Sequence, residues 1–524
     1  MSDCLVREVR LVEIDATNHA HPTGEADGRG GRAGSPPGSA PTEPVDVRIT
    51  GGVITEVGAR LTRRHGETVH EGGGRLAIPG LWDSHVHLGQ WSATSTRLDI
   101  SAAHDVAHAT RIVADEVAAL PGRAGDTICG FGYRAATWSE QPTVAALDAV
   151  TDSLPVVLIS ADCHSAWLNT PALDLLGLPH RQEHVYEQEW FDVFPVLEDR
   201  LPGLRERALA GYRTAVAGAA ARGVTGVVDL EFARGVDLWP DRVAVQGVDA
   251  LRVRIGTYPD GLDDVLHAGL RTGDPVGDSG LLTMGPLKII SDGSLNTRTA
   301  YCCEPYADAN DLDHAYGVQN VHPEELASLL GVAHDHGLEV ALHAIGDAAA
   351  RDALDAFEAT GARGTIEHAQ LMRREDVARL ARLGIAASVQ PAHLWDDRDV
   401  ADHCWPDRTD RCFPFRSLRN AGATLRLGSD APVSPLDPWL AMAAAVHRSA
   451  DDREPWSPAE SLTVAEALAC SLDGQGTLAP GAPGDVVLLE ADPYAASGNA
   501  AEAAHSLLEM RVAATILAGH LTHG

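Results

Sequence analysis

His85 and His87 stand two residues apart in IPGLWDSHVHLGQW, from Ile78 to Trp91. The run reads as a strand, and alternate strand residues share a face, so both imidazoles point the same way. Two imidazoles converging at a strand end suit Zn²⁺ or a similar divalent ion. Alone, such a pair is as readily two incidental surface histidines. Asp83, in the same motif, is positioned to orient a ligand from behind. Later runs add to the pair. His343 ends VALHAIGDAA, His368 ends TIEHAQ, and Asp430 ends LRLGSDAPVSP. A single buried His in an apolar run is more often a satisfied core residue than a ligand. Four separate runs supplying His-x-His, His, His and Asp make coincidence a poor explanation. Lys288, inside PLKIISDGSLNTRTA, is the odd member. A buried ammonium beside a dication is unfavourable. The residue fits if it is neutral, or if CO₂ has converted it to a carbamate that bridges two metals. The plain alternative is a lysine paired with Asp292 or with a substrate carboxylate.

These residues need a scaffold that brings strand ends together. Eight β runs are predicted: Leu81–Leu88, Thr225–Phe232, Leu251–Tyr258, Met284–Asp292, Glu339–Gly346, Gly364–Gln370, Ile385–Pro391 and Thr424–Asp430. Most are followed by helix-like sequence, such as Pro323–Gly337 and Arg374–Gly384. Eight β/α units predict a closed parallel (β/α)8 barrel of the TIM type, over 78–474, with function at the C-terminal strand ends. The stretch from Gly89 to Val224 is too long for one crossover and predicts an insertion at about 89–200. An open doubly wound sheet is the alternative. No Gly-rich phosphate loop follows the first strand, against its nucleotide-binding version. Strand-like sequence at Val6–Ile14, Val45–Gly58, Gly484–Asp492 and Met510–His523 predicts a small β-sandwich built from both termini, 1–77 with 475–524. The segment 21–44 is rich in Gly, Pro and Ser and predicts a disordered loop.

Composition narrows the partners. The chain has 524 residues, with 41 Lys plus Arg against 74 Asp plus Glu, a formal net charge of −33. Phosphate backbones and anionic lipid repel such a chain, so neither nucleic acid nor a membrane is an expected partner. No apolar run is long enough to span a bilayer, and the charged N-terminal stretch lacks a signal core. The expectation is a cytoplasmic protein with reduced thiols. The 24 His against 8 Cys, with no C-x-x-C pair, favour imidazole and carboxylate over thiolate ligands.

Taken in order, the motifs resemble the amidohydrolase superfamily, in particular amidohydrolase family 3 and its subgroup related to N-substituted formamide deformylase. The pieces are PGLWDSHVHL, ISADCHSAWLN, KIISDGSLNTRTA, ALHAIGDAA, IEHAQ, LGSDAPV, LTVAEAL and GTLAPGAPGDVVLLEADP, spread over nearly the whole chain. The resemblance implies the barrel, the two-ended sandwich and an inserted α/β subdomain after the first barrel strand. It implies that His85, His87 and Asp430 hold one divalent metal, with Zn²⁺ the expected ion. A carboxylated Lys288 would bridge to a second, held by His343 and His368; one ion alone is the other arrangement. The implied reaction is hydrolysis of an amide-like, non-peptide C–N bond of a small molecule by metal-activated hydroxide. Asp430 would take a proton and return it to the leaving nitrogen.

From the insertion, His164 is expected at the barrel mouth as a catalytic substrate contact or oxyanion donor, with Glu187 as a second lid position. Trp138, Asp292, Arg298 and Gln390 are candidate substrate contacts. Arg298 suits a substrate carboxylate or a plain salt bridge. Two departures from the family pattern lie in specificity-setting regions. GFGYRAATW carries Tyr133 and Arg134 where an aromatic–acidic pair is usual, and CSLDGQGTLAPG is shortened. The substrate is therefore open among formamides, N-acyl amino acids, cyclic amides and carbamates. A deaminase of the same superfamily is the nearest rival, but Gly346 stands where deaminases commonly place a glutamate. A non-catalytic barrel would be expected to have lost a ligand. A homodimer is compatible with the sequence and not specified by it.

Overall fold

The computed structural model describes residues 3–15, 43–94, 97–119, 126–135, 138–151, 153–232, 234–496 and 498–524. Nearly all of the 21–44 segment lies outside the described residues.

Eight parallel strands form the central sheet: Leu81–Val86, Val224–Asp229, Arg252–Thr257, Leu282–Ile290, Val340–Ala344, Gly364–His368, Ala386–Val389 and Leu425–Leu427. They follow one another around the sheet in chain order, and each overlaps one of the eight predicted runs, with Val224–Asp229 and Leu282–Ile290 starting ahead of theirs. The runs are Val-, Ile- and Leu-rich because parallel strands are covered on both faces. The barrel closes where the eighth strand meets the first. The Asp430 N–H donates to His85 O at 2.8 Å, and the His87 N–H donates to Ala431 O at 2.9 Å. Gly428 permits that approach, since a Cβ there would stand 2.8 Å from His85 N. Helices alternate with the strands. Pro323–His336 and Arg374–Leu383 end on Gly337 and Gly384, which take the left-handed conformation that stops a helix.

Both ends of the chain share one eight-stranded sheet. Cys4–Leu11 is its hub. It pairs with Val45–Thr50 and Thr68–Glu71 along its first half, and with Leu76–Pro79 at its end. Leu76–Pro79 then pairs with the C-terminal strand Val486–Leu489, which continues into Val512–Leu517 and His520–His523. Val6, Ile49, Val486 and Ile516 fill the layer between. Arg252 ties this sandwich to the barrel through both oxygens of the buried Asp485, at 2.6 and 3.0 Å.

The insertion after the first barrel strand is a five-stranded sheet with helices. Leu98–Asp99, Ile128–Tyr133 and Val156–Ser160 are parallel; Ser165–Leu168 and Val185–Tyr186 add antiparallel strands. The turn between Ser160 and Ser165 carries Asp162, Cys163 and His164. Among the described residues, no helix is long and apolar enough to cross a membrane.

The helix Val464–Cys470 shows how one charged group holds several elements. Thr463 caps it, and Glu466 accepts the Thr463 N–H at 2.8 Å. Glu466 also accepts both Arg416 amino groups, at 2.7 and 2.6 Å. Burial alone would raise this carboxyl, but Arg416 and Thr463 outweigh it and hold it down to about 2. A depressed acid contributes stability above its ordinary value of 4.5 and loses it as pH falls towards 2. Glu466→Gln is therefore expected to lower stability by about 1–3 kcal/mol at neutral pH, measured by denaturant melts. The gap to the parent should narrow below pH 4.5; a gap independent of pH would contradict the assignment.

Candidate active site

His85, His87, Lys288, His343, His368 and Asp430 all line one inner chamber of about 110 Å³ at the C-terminal strand ends, together with His164 from the insertion. His85 Nε2 lies 3.4 Å from Asp430 Oδ1 and 3.4 Å from Lys288 Nζ. His87 Nε2 lies 3.3 Å from the same Asp430 oxygen. The His368 ring is centred 5.1 Å from His85 and 4.5 Å from His343. One ligand atom each from His85, His368 and Asp430 lie within 4.8 Å of one another. Nδ1 of His87 and Nδ1 of His368 are buried with no hydrogen-bond partner. Orphaned buried nitrogens are unfavourable unless something binds them, and these stand in a set of donors suited to a divalent cation. The residues therefore fit the metal that their types imply.

Glu367 was not anticipated. Its Oε2 lies 2.6 Å from His85 Nδ1. If that nitrogen carries the proton, the lone pair of Nε2 turns into the chamber. Strand alternation would set Glu367 and His368 on opposite faces. His368 has φ of 69° and leaves the strand geometry, so both side chains reach His85. The available signal was an acid buried in the apolar run TIEH beside a ligand.

Burial dominates the electrostatics. It lowers His85 to about 4, with Lys288 adding to the effect. It drives His368 well below its ordinary value, with His343 adding. Neutral imidazole is the ligand form. Burial also lowers Lys288, against the pull of Glu367 and Asp430. A neutral amine is what carbamate formation requires. Burial would raise Asp430, but His85, His87 and His368 hold it well below the usual carboxylate range. His164 is the exception among the histidines. Burial lowers it, yet Glu187, 3.2 Å away, carries it up to about 9. Backbone strain gathers here too: Asp430, His368, Cys163, Glu187 and Arg298 all have positive φ.

The remaining candidates fall in different places. Asp83 does not touch a ligand ring; it accepts the backbone N–H of Ser429 at 3.0 Å and of His85 at 3.1 Å. Burial raises its carboxyl to about 7. Asp292 lines the inner chamber, 3.4 Å from His343 Nε2, and accepts the N–H groups of Tyr301, Ile345 and Gly346. Arg298 lines a larger outer chamber of about 830 Å³ but donates to Asp308 at 3.3 Å, the plain salt-bridge alternative. Trp138 is buried in the apolar core of the insertion beside Tyr133. Gln390 donates to Ser388 O. Neither of these two is among the described lining residues of either chamber. His393 and Asp397, which line both chambers, were not singled out from the sequence.

A closed parallel barrel that gathers imidazoles, a lysine and an aspartate at its strand ends belongs to the class of (β/α)8 proteins built to bind metal. The chain is a member of the Amidohydrolase family, which it matches over residues 72–523. It is 30% identical over 466 residues to Protein LONG AFTER FAR-RED 3 of Arabidopsis thaliana, covering 80% of this chain and 79% of that one. It is 25% identical over 472 residues to N-substituted formamide deformylase of Arthrobacter pascens, covering 80% and 83%. Its fold is similar to an uncharacterized metal-dependent hydrolase of Pyrococcus horikoshii OT3, with a TM-score of 0.75 at 24% identity, covering 95% and 99%.

Glu367→Gln is expected to weaken divalent-metal affinity about 10–100-fold without unfolding the protein. Chelator competition alongside circular dichroism checks this; unchanged affinity would show that Glu367 does not orient His85.

Proposed function

We propose that this protein is a metal-dependent hydrolase that cleaves an amide-like, non-peptide C–N bond of a small molecule. The observation that carries this reading is the convergence of four histidines, Lys288 and Asp430 on one buried chamber, with two of the imidazole nitrogens left unpartnered. His85, His87 and Asp430 would hold one ion, with Zn²⁺ the expected species, and His343 and His368 a second. A carboxylated Lys288 would supply the anion between them. The bound cation would supply the charge that polarises a carbonyl and acidifies water.

The chain's own groups account for the rest. Asp430, kept ionised among the imidazoles, accepts a proton from the attacking water and delivers it to the departing nitrogen. His164, backed by Glu187, donates to the substrate oxygen as negative charge gathers on it. The insertion covers the chamber and limits water. A chamber of 110 Å³ opening to one of 830 Å³ suits a small acyl group inside and a larger nitrogen substituent outside. The name of the Arthrobacter relative supports that division. The deaminase alternative is disfavoured at Gly346. A Cβ there would lie 2.0 Å from Tyr301 O, leaving no room for a glutamate. All eight cysteines are free.

Purified protein supplemented with Zn²⁺, Mn²⁺ or Co²⁺ is expected to retain stoichiometric metal by elemental analysis. It should hydrolyse at least one member of an N-formyl, N-acyl and cyclic amide panel. Failure of metal retention would refute the proposal. Asp430→Asn should lose about 10³-fold or more in kcat while staying folded. Protein prepared with ¹³C-bicarbonate should show a carbamate carbon signal that Lys288→Ala lacks.

A further inference from the structure

Six residues line both chambers and so form the throat between them: Asp162, Glu187, Asn296, His393, Asp397 and Val433. Their polar groups are mostly committed. Asp162 accepts Ser160 Oγ at 2.6 Å and the His164 N–H at 3.1 Å. Glu187 accepts from His164. Asp397 accepts Asn296 Nδ2 at 3.1 Å on one oxygen and Gln370 Nε2 at 2.9 Å on the other. Glu187 Oε1 is also buried without a partner but, as a carboxylate oxygen, can only accept; the exception among possible donors is His393. Its side chain is 9% exposed, and Nε2 is buried without a hydrogen-bond partner. That nitrogen is 3.8 Å from Asp430 Oδ2, beyond hydrogen-bond reach. The ring lies nearly parallel to His368, at 25° and 6.0 Å between centroids.

We infer that His393 Nε2 donates a hydrogen bond to the carbonyl oxygen of the scissile amide held in the throat. This rests on the hydrolase reading above and adds a residue to it. Two physical arguments carry it. A buried imidazole nitrogen without a partner is unfavourable unless a ligand satisfies it, and this one borders the substrate's path. The charged side chains around it, Asp162, Glu187, Asp397 and Asp430, are acceptors. They suit an amide N–H or a departing amine, and none can serve a carbonyl oxygen. An imidazole N–H can. His393 thus stands on the barrel wall of the throat, while His164 comes from the insertion. The scissile group would lie between them, its acyl part inward and its nitrogen substituent outward.

Two measurements test this on the full chain. The first compares wild type, His393→Phe and His393→Gln at equal metal content and unchanged circular dichroism, on a hydrolysed member of the amide panel. Phe keeps a ring without a nitrogen, and Gln returns an N–H near the lost one. His393→Phe is expected to lose about 10²–10³-fold in kcat, with a smaller change in KM. His393→Gln should recover part of the loss. The second is a titration of metal-free protein, carrying ¹⁵N-labelled histidine, with N-methylformamide. The His393 Nε2 resonance, assigned by its absence in His393→Phe, should shift. An unchanged kcat in His393→Phe overturns the inference, and so does a loss of activity without a shift. A metal-replete wild type inactive on the whole panel would sink the hydrolase reading, while the titration would still decide the hydrogen bond.

Discussion

The site depends on one seam. The eighth barrel strand must close on the first with the register that puts Asp430 beside His85 and His87. Two backbone hydrogen bonds set it, Asp430 N–H to His85 O and His87 N–H to Ala431 O. Asp83 secures the same seam from beneath through Ser429 N–H. Gly428 admits the close approach that a side chain would block. If that register slipped by one residue, alternate side chains would exchange faces. The candidate metal set would then lose Asp430 from beside His85 and His87.

Around the seam the protein buries an array that would be unstable in isolation. Lys288, four imidazoles and Asp430 line one chamber at the strand ends. Burial favours the neutral forms of the lysine and the rings, while the rings favour the anion of Asp430. Such an environment suits a cation, because every group in it is either a lone-pair donor or an anion. Five of the non-glycine residues held at positive φ, Asp430, His368, Cys163, Glu187 and Arg298, line the two chambers. Strain of that kind persists only where surrounding packing over-determines it. Here the barrel and the insertion supply that packing from two sides.

Much of the fold was legible because parallel barrel strands are buried on both faces and read as apolar runs. All eight runs are present as strands, each ending before its run does. The trimming has a cause. The residues beyond Leu427 and Val389 leave the ladder to build the chamber, and sequence pattern does not separate a strand from the apolar loop that continues it. The candidate metal residues were legible for a related reason, since a polar residue at the end of an apolar run stands out. Trp138 was less readable. An aromatic in the insertion can face a cavity or a core with the same local sequence, and here it packs on Tyr133. His393 and Glu367 carried little local signal. The first lies past a strand end in a short turn, and the second follows a period that His368 breaks.

By itself, then, the sequence determined the order of elements, the closed parallel sheet and the polar residues at its strand ends. Those follow from hydrophobic periodicity and from the unfavourable burial of unpaired polar groups, both local properties. The tertiary structure alone decided which groups meet. It placed Glu367 behind His85 from a strand far along the chain, set His393 in the throat, and turned Asp83 to the backbone instead of a ring. Such contacts depend on barrel closure, positive-φ bends and the docking of the insertion. None of these leaves a periodic trace in the chain.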